Sequence, residues 1–133
     1  MPTIVYVAIY DVYDDRDPNH WAMYLKNSKK GHVILQVNDD KGGVGYYVAT
    51  PIYGKEPDRS ARHKESFAVG QISSSNHENA VDAIIKTPVD NQSDTWNCQA
   101  WVEEALDGLE QAGLFEWDKK GKEKMLRKRQ YWQ

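Results

Sequence analysis

The residue most capable of covalent chemistry in this sequence is Cys98, the single cysteine of the chain. It stands at the start of a predicted helix and on the apolar stripe of that helix. Backbone N–H groups at a helix N-terminus lower the pKa of a thiol, and they can hydrogen-bond the oxyanion formed when the thiol attacks a carbonyl. Cys98 is therefore a candidate nucleophile. The alternative interpretation is a small buried hydrophobic residue, the usual role of a lone cysteine on such a stripe.

A base for this thiol is available in His20, which opens a predicted strand directly after an Asp-Pro-Asn loop sequence. A hairpin symmetric about Ser28 pairs His20 with Gln36. The same register pairs Tyr24 with His32, roughly 13 Å from His20 along the sheet. We therefore predict that Gln36, rather than His32, orients the imidazole. Cysteine, base and orienting group form the set that thiol catalysis needs.

The elements that must position these residues are predicted to be strands in the first part of the chain and helices in the later part. β-branched and aromatic runs predict strands over residues 3–12, 20–25, 32–37, 44–52 and 66–72, with a mobile loop over residues 54–65. One helix, with serines at its N-terminus, is predicted from residue 73 to about residue 86. A second ends at Gly113 and carries the stripe Cys98, Trp101, Val102, Ala105, Leu106, Leu109 and Ala112. This order predicts an α+β fold, with helices on one face of an antiparallel sheet.

Length and charge limit the function classes. A chain of 133 residues suits a single domain, residues 1–133, and a formal net charge of −3 argues against binding to nucleic acid. One cysteine forms no intrachain disulfide, and the pattern of a secretion signal is missing, so a cytoplasmic location is expected. The longest apolar run, residues 4–9, is too short to span a bilayer, so we expect no integral membrane segment.

Metal and cofactor chemistry finds little support in the sequence. The histidines and the cysteine show no compact ligand spacing, so we expect no metal site; the residues concerned are His20, His32, His63, His77 and Cys98. The glycines Gly42, Gly43 and Gly45 precede no helix and no Lys-Ser/Thr pair, which argues against a phosphate-binding loop. We expect no cofactor.

From about residue 118 the chain is rich in Lys and Arg and predicts a short exposed helix or tail. Four of its apolar residues are expected to contact the body of the domain: Met125, Leu126, Tyr131 and Trp132. The basic surface is interpreted as a solvated helix end, and the alternative is contact with an anionic membrane surface or an acidic partner.

Three short segments carry a resemblance to a known superfamily: His-Trp-Ala-x-Tyr at residues 20–24, Ile-Leu-Gln-Val at residues 34–37, and Asn-Cys-Gln-x-Trp-Val at residues 97–102. Their order and chemistry resemble the circularly permuted branch of the papain-like, NlpC-type cysteine hydrolases, which includes the lecithin:retinol acyltransferase-like proteins. With Phe-Ala-Val-Gly-Gln-Ile at residues 67–72, the chain looks most like small fungal members. The resemblance covers most of residues 4–114.

The resemblance implies a papain-like core in which Cys98 is the nucleophile, His20 the general base and Gln36 the third, polar member. The acyltransferase-like members commonly have a second histidine at this third position, and a glutamine orients an imidazole without stabilising its charged form. The neighbours Trp21, Asn97 and Gln99 are predicted to bind substrate. Pocket walls are expected from residues 38–47 and 53–64.

The predicted function is a cysteine-dependent hydrolase or acyltransferase that acts on an amide, ester or thioester of a small molecule, peptide or acyl group. The alternative belongs to another class. It is a catalytically silent papain-like fold that binds a small molecule or a protein, with a homo-oligomer possible. A Cys98 sulfur out of hydrogen-bond reach of His20, with no cleft leading to it, is the observation that favours the alternative.

Overall fold

The structure is a computed structural model that describes residues 1–12, 17–40, 45–93 and 95–131. Its strands are β1 Thr3–Tyr10, β2 His20–Asn27, β3 Gly31–Leu35, β4 Val37–Asp40, β5 Gly45–Val48, β6 Ile52–Tyr53, β7 His63–Ile72 and β8 Glu116–Trp117. Six of them form an antiparallel sheet in the order β6-β3-β2-β1-β7-β8, and β4 pairs with β5 in a separate two-stranded sheet. The helices are α1 His77–Ile85, α2 Cys98–Gln111 and α3 Lys119–Lys128. The predicted α+β class is confirmed at this level.

The main core lies between one face of the six-stranded sheet and the helices. Alternate residues of β1 and β2, such as Val7 and Trp21, belong to the same buried cluster as Trp101 and Leu106 of α2. The predicted apolar stripe of α2 is buried from Cys98 to Leu109, whereas its last position, the capping residue 112, is exposed. Gly113 follows with a φ of 74° and ends α2 as predicted.

The β2–β3 hairpin is centred on Lys29, one residue later than predicted. Its register pairs Lys26 with His32, so the predicted pairing was wrong by two residues. A shift of two residues preserves which side chains share a face. His20 and Gln36 therefore remain on the same face of the sheet, but Gln36 no longer lies directly opposite His20.

The turn chemistry explains the register. The side-chain oxygen of Asn27 accepts hydrogen bonds from the backbone N–H groups of Lys29 and Lys30, both at 2.9 Å. The turn then closes at Gly31, whose φ of 87° suits glycine. Asn27 therefore fixes a three-residue loop.

Other element boundaries differ from the prediction. The strand predicted over residues 44–52 divides into β5 and β6, and the loop predicted over residues 54–65 contains a 3₁₀ turn, Pro57–Arg59. Before α1, the 3₁₀ turn Ser74–Asn76 replaces the predicted serine cap, because the Ser73 side chain makes no capping hydrogen bond. The predicted strand, turn and tail positions that lie outside the described residues are Asp14, Asp15, Gly42, Gly43, Val44, Asp94 and Trp132.

The basic segment is a docked helix. Gly121 of α3 packs so closely on β7 that a Cβ there would lie 2.1 Å from the Ala68 carbonyl oxygen. Met125 is buried, which confirms its predicted contact. Leu126 and Tyr131 are 53% and 66% exposed, so more than half of each side chain is open to solvent, and their predicted contact with the body stays a prediction. Within the described ranges, no helix combines the length and apolar character needed to cross a membrane.

Candidate active site

Cys98 is the first residue of α2, and its thiol lies against the backbone of β2. Asn97 caps the helix: its side-chain oxygen accepts hydrogen bonds from the backbone N–H of Gln99 at 3.0 Å and of the following residue at 3.2 Å. The Cys98 sulfur accepts a hydrogen bond from the Trp21 N–H at 3.4 Å. The thiol also lies 3.8 Å from the Asn19 carbonyl oxygen. The nucleophile candidate is thus held by the residues on either side of His20.

A break in the sheet allows this contact. The described pairing of β2 with β3 ends at Met23 and Leu35, and after Gln36 the chain enters β4, which pairs with β5 in the separate sheet. The first residues of β2 therefore have no partner in β3. Helix α2 contacts both β2 and β4, and its first residue lies against Trp21 of β2. The thiol meets a strand backbone because the neighbouring strand has left the sheet.

Burial dominates the chemistry of the thiol. Cys98 is 8% exposed, and burial raises its pKa to about 11, although the backbone N–H groups of Trp21 and of the first turn of α2 oppose this rise. We predicted a lowered thiol pKa from the helix N-terminus, and that prediction was wrong. The hydrogen-bond donors are present, but loss of hydration outweighs them.

His20 contacts Gln36 as predicted, with 2.6 Å between imidazole Nε2 and the side-chain Oε1. An amide oxygen only accepts, so His20 must donate from Nε2, which leaves the lone pair of a neutral ring on Nδ1. Burial lowers the pKa of His20, while the bond to Gln36 acts in the opposite direction. The imidazole is therefore neutral near pH 7, in the form that accepts a proton.

The imidazole and the thiol lie on either side of one short peptide segment. Trp21 belongs to the core under the helices, whereas Ala22 and Tyr24 belong to a smaller cluster on the opposite face. By alternation along β2, His20 projects to this opposite face. Among the described residues, no hydrogen bond joins the Cys98 sulfur to the His20 ring.

A cavity of about 850 Å³ opens on the face that carries His20 and Gln36. Ile34 and Ile52 contribute apolar surface, and the segment around the Pro57–Arg59 turn forms a wall, as expected of residues 53–64. Cys98 is not among the lining residues. These residues are Tyr10, Asp11, Val12, His20, Ile34, Gln36, Asn38, Ile52, Gly54, Lys55, Glu56, Pro57, Arg59, Ser60 and Arg62.

The second-choice group, His32, lies further along the hairpin. It pairs with Lys26 in the register, and its ring centroid is 5.9 Å from that of Tyr24. Its buried Nδ1 makes no hydrogen bond within the described chain. The structure brings Gln36 to His20 and leaves His32 apart.

The three residues predicted to bind substrate are buried. The side chain of Trp21 packs in the core, that of Asn97 caps α2, and that of Gln99 is enclosed by hydrogen bonds to backbone and side-chain groups. None of them lines the cavity. Their role in substrate binding stays a prediction, and their contacts here support the site.

Comparison with known proteins gives one result for the chain as a whole. Residues 5–116 match the model of a family of unknown function, DUF6540. The chain belongs to this family. No curated protein and no solved structure matches this chain. The family match spans β1 to β8, so Cys98, His20 and Gln36 all lie inside the DUF6540 region, whereas α3 follows it.

Tyr46 of this DUF6540 protein, which lies near the thiol, belongs to a predicted pocket wall, residues 38–47, but no sequence pattern singled it out. The backbone N–H and carbonyl of Tyr46 are both held by the side chain of Asn91, at 2.7 and 3.1 Å, and the Tyr46 ring meets Trp96 edge-on at 5.3 Å. Burial raises the pKa of Tyr46 to about 12, with the nearby Cys98 as the second cause. Only the tertiary packing of β5 against the segment before α2 brings this phenol to the site.

Replacing Gln36 separates the two candidates for the third group. Gln36→Ala is expected to slow acylation of Cys98 by p-nitrophenyl acetate roughly 10- to 100-fold, because the imidazole loses the bond that fixes its tautomer and position. His32→Ala is expected to leave the rate within twofold of wild type. Intact-mass spectrometry over time gives both rates. The reverse pattern would assign the third role to His32.

Proposed function

We propose that this DUF6540 protein is a cysteine-dependent hydrolase or acyltransferase that forms an acyl-enzyme on Cys98. The observation that carries the proposal is the 2.6 Å bond between His20 and Gln36, which gives a neutral imidazole with a defined tautomer. The residues before and after His20 contact the thiol through their backbone. The resemblance to permuted papain-like hydrolases supports the same assignment, with the papain-like core as part of the proposal.

The proposed reaction has two halves. The Cys98 sulfur forms a bond to the carbonyl carbon of an amide, ester or thioester while the thiol proton passes to His20 Nδ1. The carbonyl oxygen becomes an oxyanion that the Cys98 backbone N–H stabilises. The tetrahedral intermediate collapses, the leaving group takes the proton from His20, and a thioester remains. Water or an amine then attacks this thioester, releases the acid or the new amide, and restores the thiol.

The buried thiol sets a condition on this mechanism. With a raised pKa, the sulfur keeps its proton until the attack, so His20 must act as a general base during bond formation. The sulfur and the imidazole must come within hydrogen-bond reach when substrate is bound. Catalytic hydrogen bonds often tighten only in the reacting complex. Here, however, the two side chains lie on opposite sides of β2, which is the observation that favours the catalytically silent alternative considered below.

The direct test is turnover of activated esters. A panel of p-nitrophenyl esters of short and long acyl chains is expected to release more than one equivalent of p-nitrophenolate per protein, and Cys98→Ala is expected to release none above the spontaneous rate. Chain-length preference would outline the cavity. Equal release by wild type and Cys98→Ala with every ester would refute the enzymatic proposal.

A second candidate function has its own supporting observation. The cavity of about 850 Å³ is lined by His20 and Gln36 and not by Cys98, whose sulfur is buried. This arrangement suits a catalytically silent domain that binds a small molecule or a protein segment. A fragment screen by protein NMR separates the two functions. A binding module retains fragment affinity in Cys98→Ala and shows no ester turnover in wild type.

A further inference from the structure

The segment after α3 reaches the candidate site, although it lies outside the part of the chain matched by the family. Lys124 and Lys128 pair with Glu65 of β7 at 3.3 and 3.2 Å. Arg129, whose side chain is 8% exposed, pairs with Glu103 of α2 at 2.5 Å. Through these contacts, α3 is paired with β7 and the residue that follows it is paired with α2. The next residue, Gln130, is thereby placed beside the segment that holds the thiol.

Gln130 joins the neighbours of the two reactive residues. Its side-chain oxygen accepts hydrogen bonds from the Asn19 backbone N–H at 2.8 Å and from the Gln99 side-chain amide at 3.1 Å. The same Gln99 amide donates to the Asn19 carbonyl at 2.9 Å, and the Gln130 backbone N–H donates to Gln99 Oε1 at 2.7 Å. Asn19 precedes His20, and Gln99 follows Cys98. This closed ring of bonds ties the base segment to the nucleophile segment.

We infer that Gln130 is a positioning residue, which fixes Asn19 both directly and through Gln99 and so holds the His20 segment against the Cys98 thiol. The inference deepens the proposed function and rests on it, because Gln130 positions His20 and Cys98 for a reaction only if the two residues carry out that reaction. Three features support it. Gln99 is fully buried, so its amide has no water to replace a lost partner. Both backbone polar groups of Asn19 take part in the ring. The Asn19 carbonyl is also the group 3.8 Å from the sulfur.

The chemistry of the ring makes the test specific. In the bonds described, the Gln130 side chain acts only through its oxygen, as an acceptor. A carboxylate also accepts, so Gln130→Glu keeps both bonds, whereas Gln130→Ala removes both. Gln111→Ala is the matched control, because Gln111 is an exposed glutamine at the end of α2. The full chain is used in each case.

Three rates are measured on each variant: amide hydrogen exchange of Asn19 by NMR, alkylation of Cys98 by iodoacetamide at pH 7, and acylation of Cys98 by p-nitrophenyl acetate. In Gln130→Ala, we expect Asn19 exchange and Cys98 alkylation to become roughly three- to tenfold faster, since the segment loses an acceptor that kept it closed. Acylation is expected to become slower by a similar factor. Gln130→Glu should restore Asn19 exchange and acylation to within twofold, and Gln111→Ala should leave all three rates unchanged.

The outcomes distinguish this inference from the proposed function. If wild type forms no ester adduct, the enzymatic proposal fails, and faster Asn19 exchange in Gln130→Ala alone then supports a Gln130 clamp on this segment. If Gln130→Ala leaves all three rates within twofold of wild type, the inference is overturned. It is also overturned if Gln130→Glu slows acylation as much as Gln130→Ala does. The variant that keeps the acceptor oxygen would then behave like the variant that lacks it.

Discussion

Replacement of His20 by alanine is expected to slow acylation of Cys98 by p-nitrophenyl acetate roughly 10²- to 10⁴-fold, the usual contribution of a general base. The thiol keeps its proton at neutral pH because burial raises its pKa to about 11, so attack depends on a nearby acceptor. His20 offers that acceptor through Nδ1, since Nε2 donates to Gln36. Adduct formation followed by intact-mass spectrometry measures the loss.

A matched control is available in His63. Its ring meets the ring of Tyr10 edge-on at 5.7 Å, and His20 packs on the same Tyr10 at 5.6 Å. His63 does not line the cavity and instead bonds Ser66 at 2.8 Å. His63→Ala should therefore acylate at nearly the wild-type rate. Equal losses in both variants would mean that the effect comes from Tyr10 or from the fold rather than from a base.

The pH dependence of acylation has a defined sign. Burial lowers the pKa of His20 from the ordinary value of 6.5, so the ring becomes protonated, and unable to accept a proton, only at pH values below 6.5. The acid limb of the wild-type rate is expected in that range and should be absent from the residual rate of His20→Ala. An acid limb with its midpoint above pH 7 in the wild-type acylation profile would indicate a different base.

The Cys98 thiol itself is expected to react with iodoacetamide at pH 7 roughly 100-fold more slowly in the folded protein than in the same chain unfolded in guanidinium chloride. The reason is that burial raises its pKa from 9.0 to about 11, and each pH unit is a factor of ten in thiolate. Because Cys98 is the single cysteine, the alkylated mass reports this residue alone.

The pH profile makes the same prediction sharper. The alkylation rate of the folded protein should still rise about tenfold between pH 9 and pH 10, where the rate of the unfolded chain levels off. A plateau by pH 8 in the folded protein would contradict the burial argument. It would also show a thiolate formed before substrate arrives, in which case His20 serves as its partner ion rather than as a general base.

Local sequence signals predicted the helix that carries the thiol and the chemistry next to it. The stripe from Cys98 to Leu109 is buried as its spacing required, and Gly113 ends the helix. The side-chain face shared by His20 and Gln36 also followed from alternation, even though the register was wrong. Alternation depends on parity alone, whereas the register depends on the loop length that the Asn27 side chain selects.

Long-range contacts account for what the sequence did not predict. The contact of the Cys98 sulfur with the backbone of β2 depends on β3 leaving the sheet after Leu35, and no spacing in the chain marks that departure. The position of Gln130 depends on α3 docking to β7, where Gly121 permits contact with the Ala68 backbone. A glutamine near the end of a basic segment resembles any exposed polar residue. Its partner Gln99 was noticed only as a neighbour of the thiol.

The central claim, an acyl-enzyme on Cys98, is tested most directly by mapping the adduct. The protein is treated with p-nitrophenyl acetate, quenched in acid and digested, and the acetylated peptide is sequenced by tandem mass spectrometry. We expect one acetyl group, on the peptide that contains Cys98, released by hydroxylamine at neutral pH as a thioester should be. An unmodified Cys98 peptide, or acetyl groups found only on lysines or tyrosines, would contradict the account.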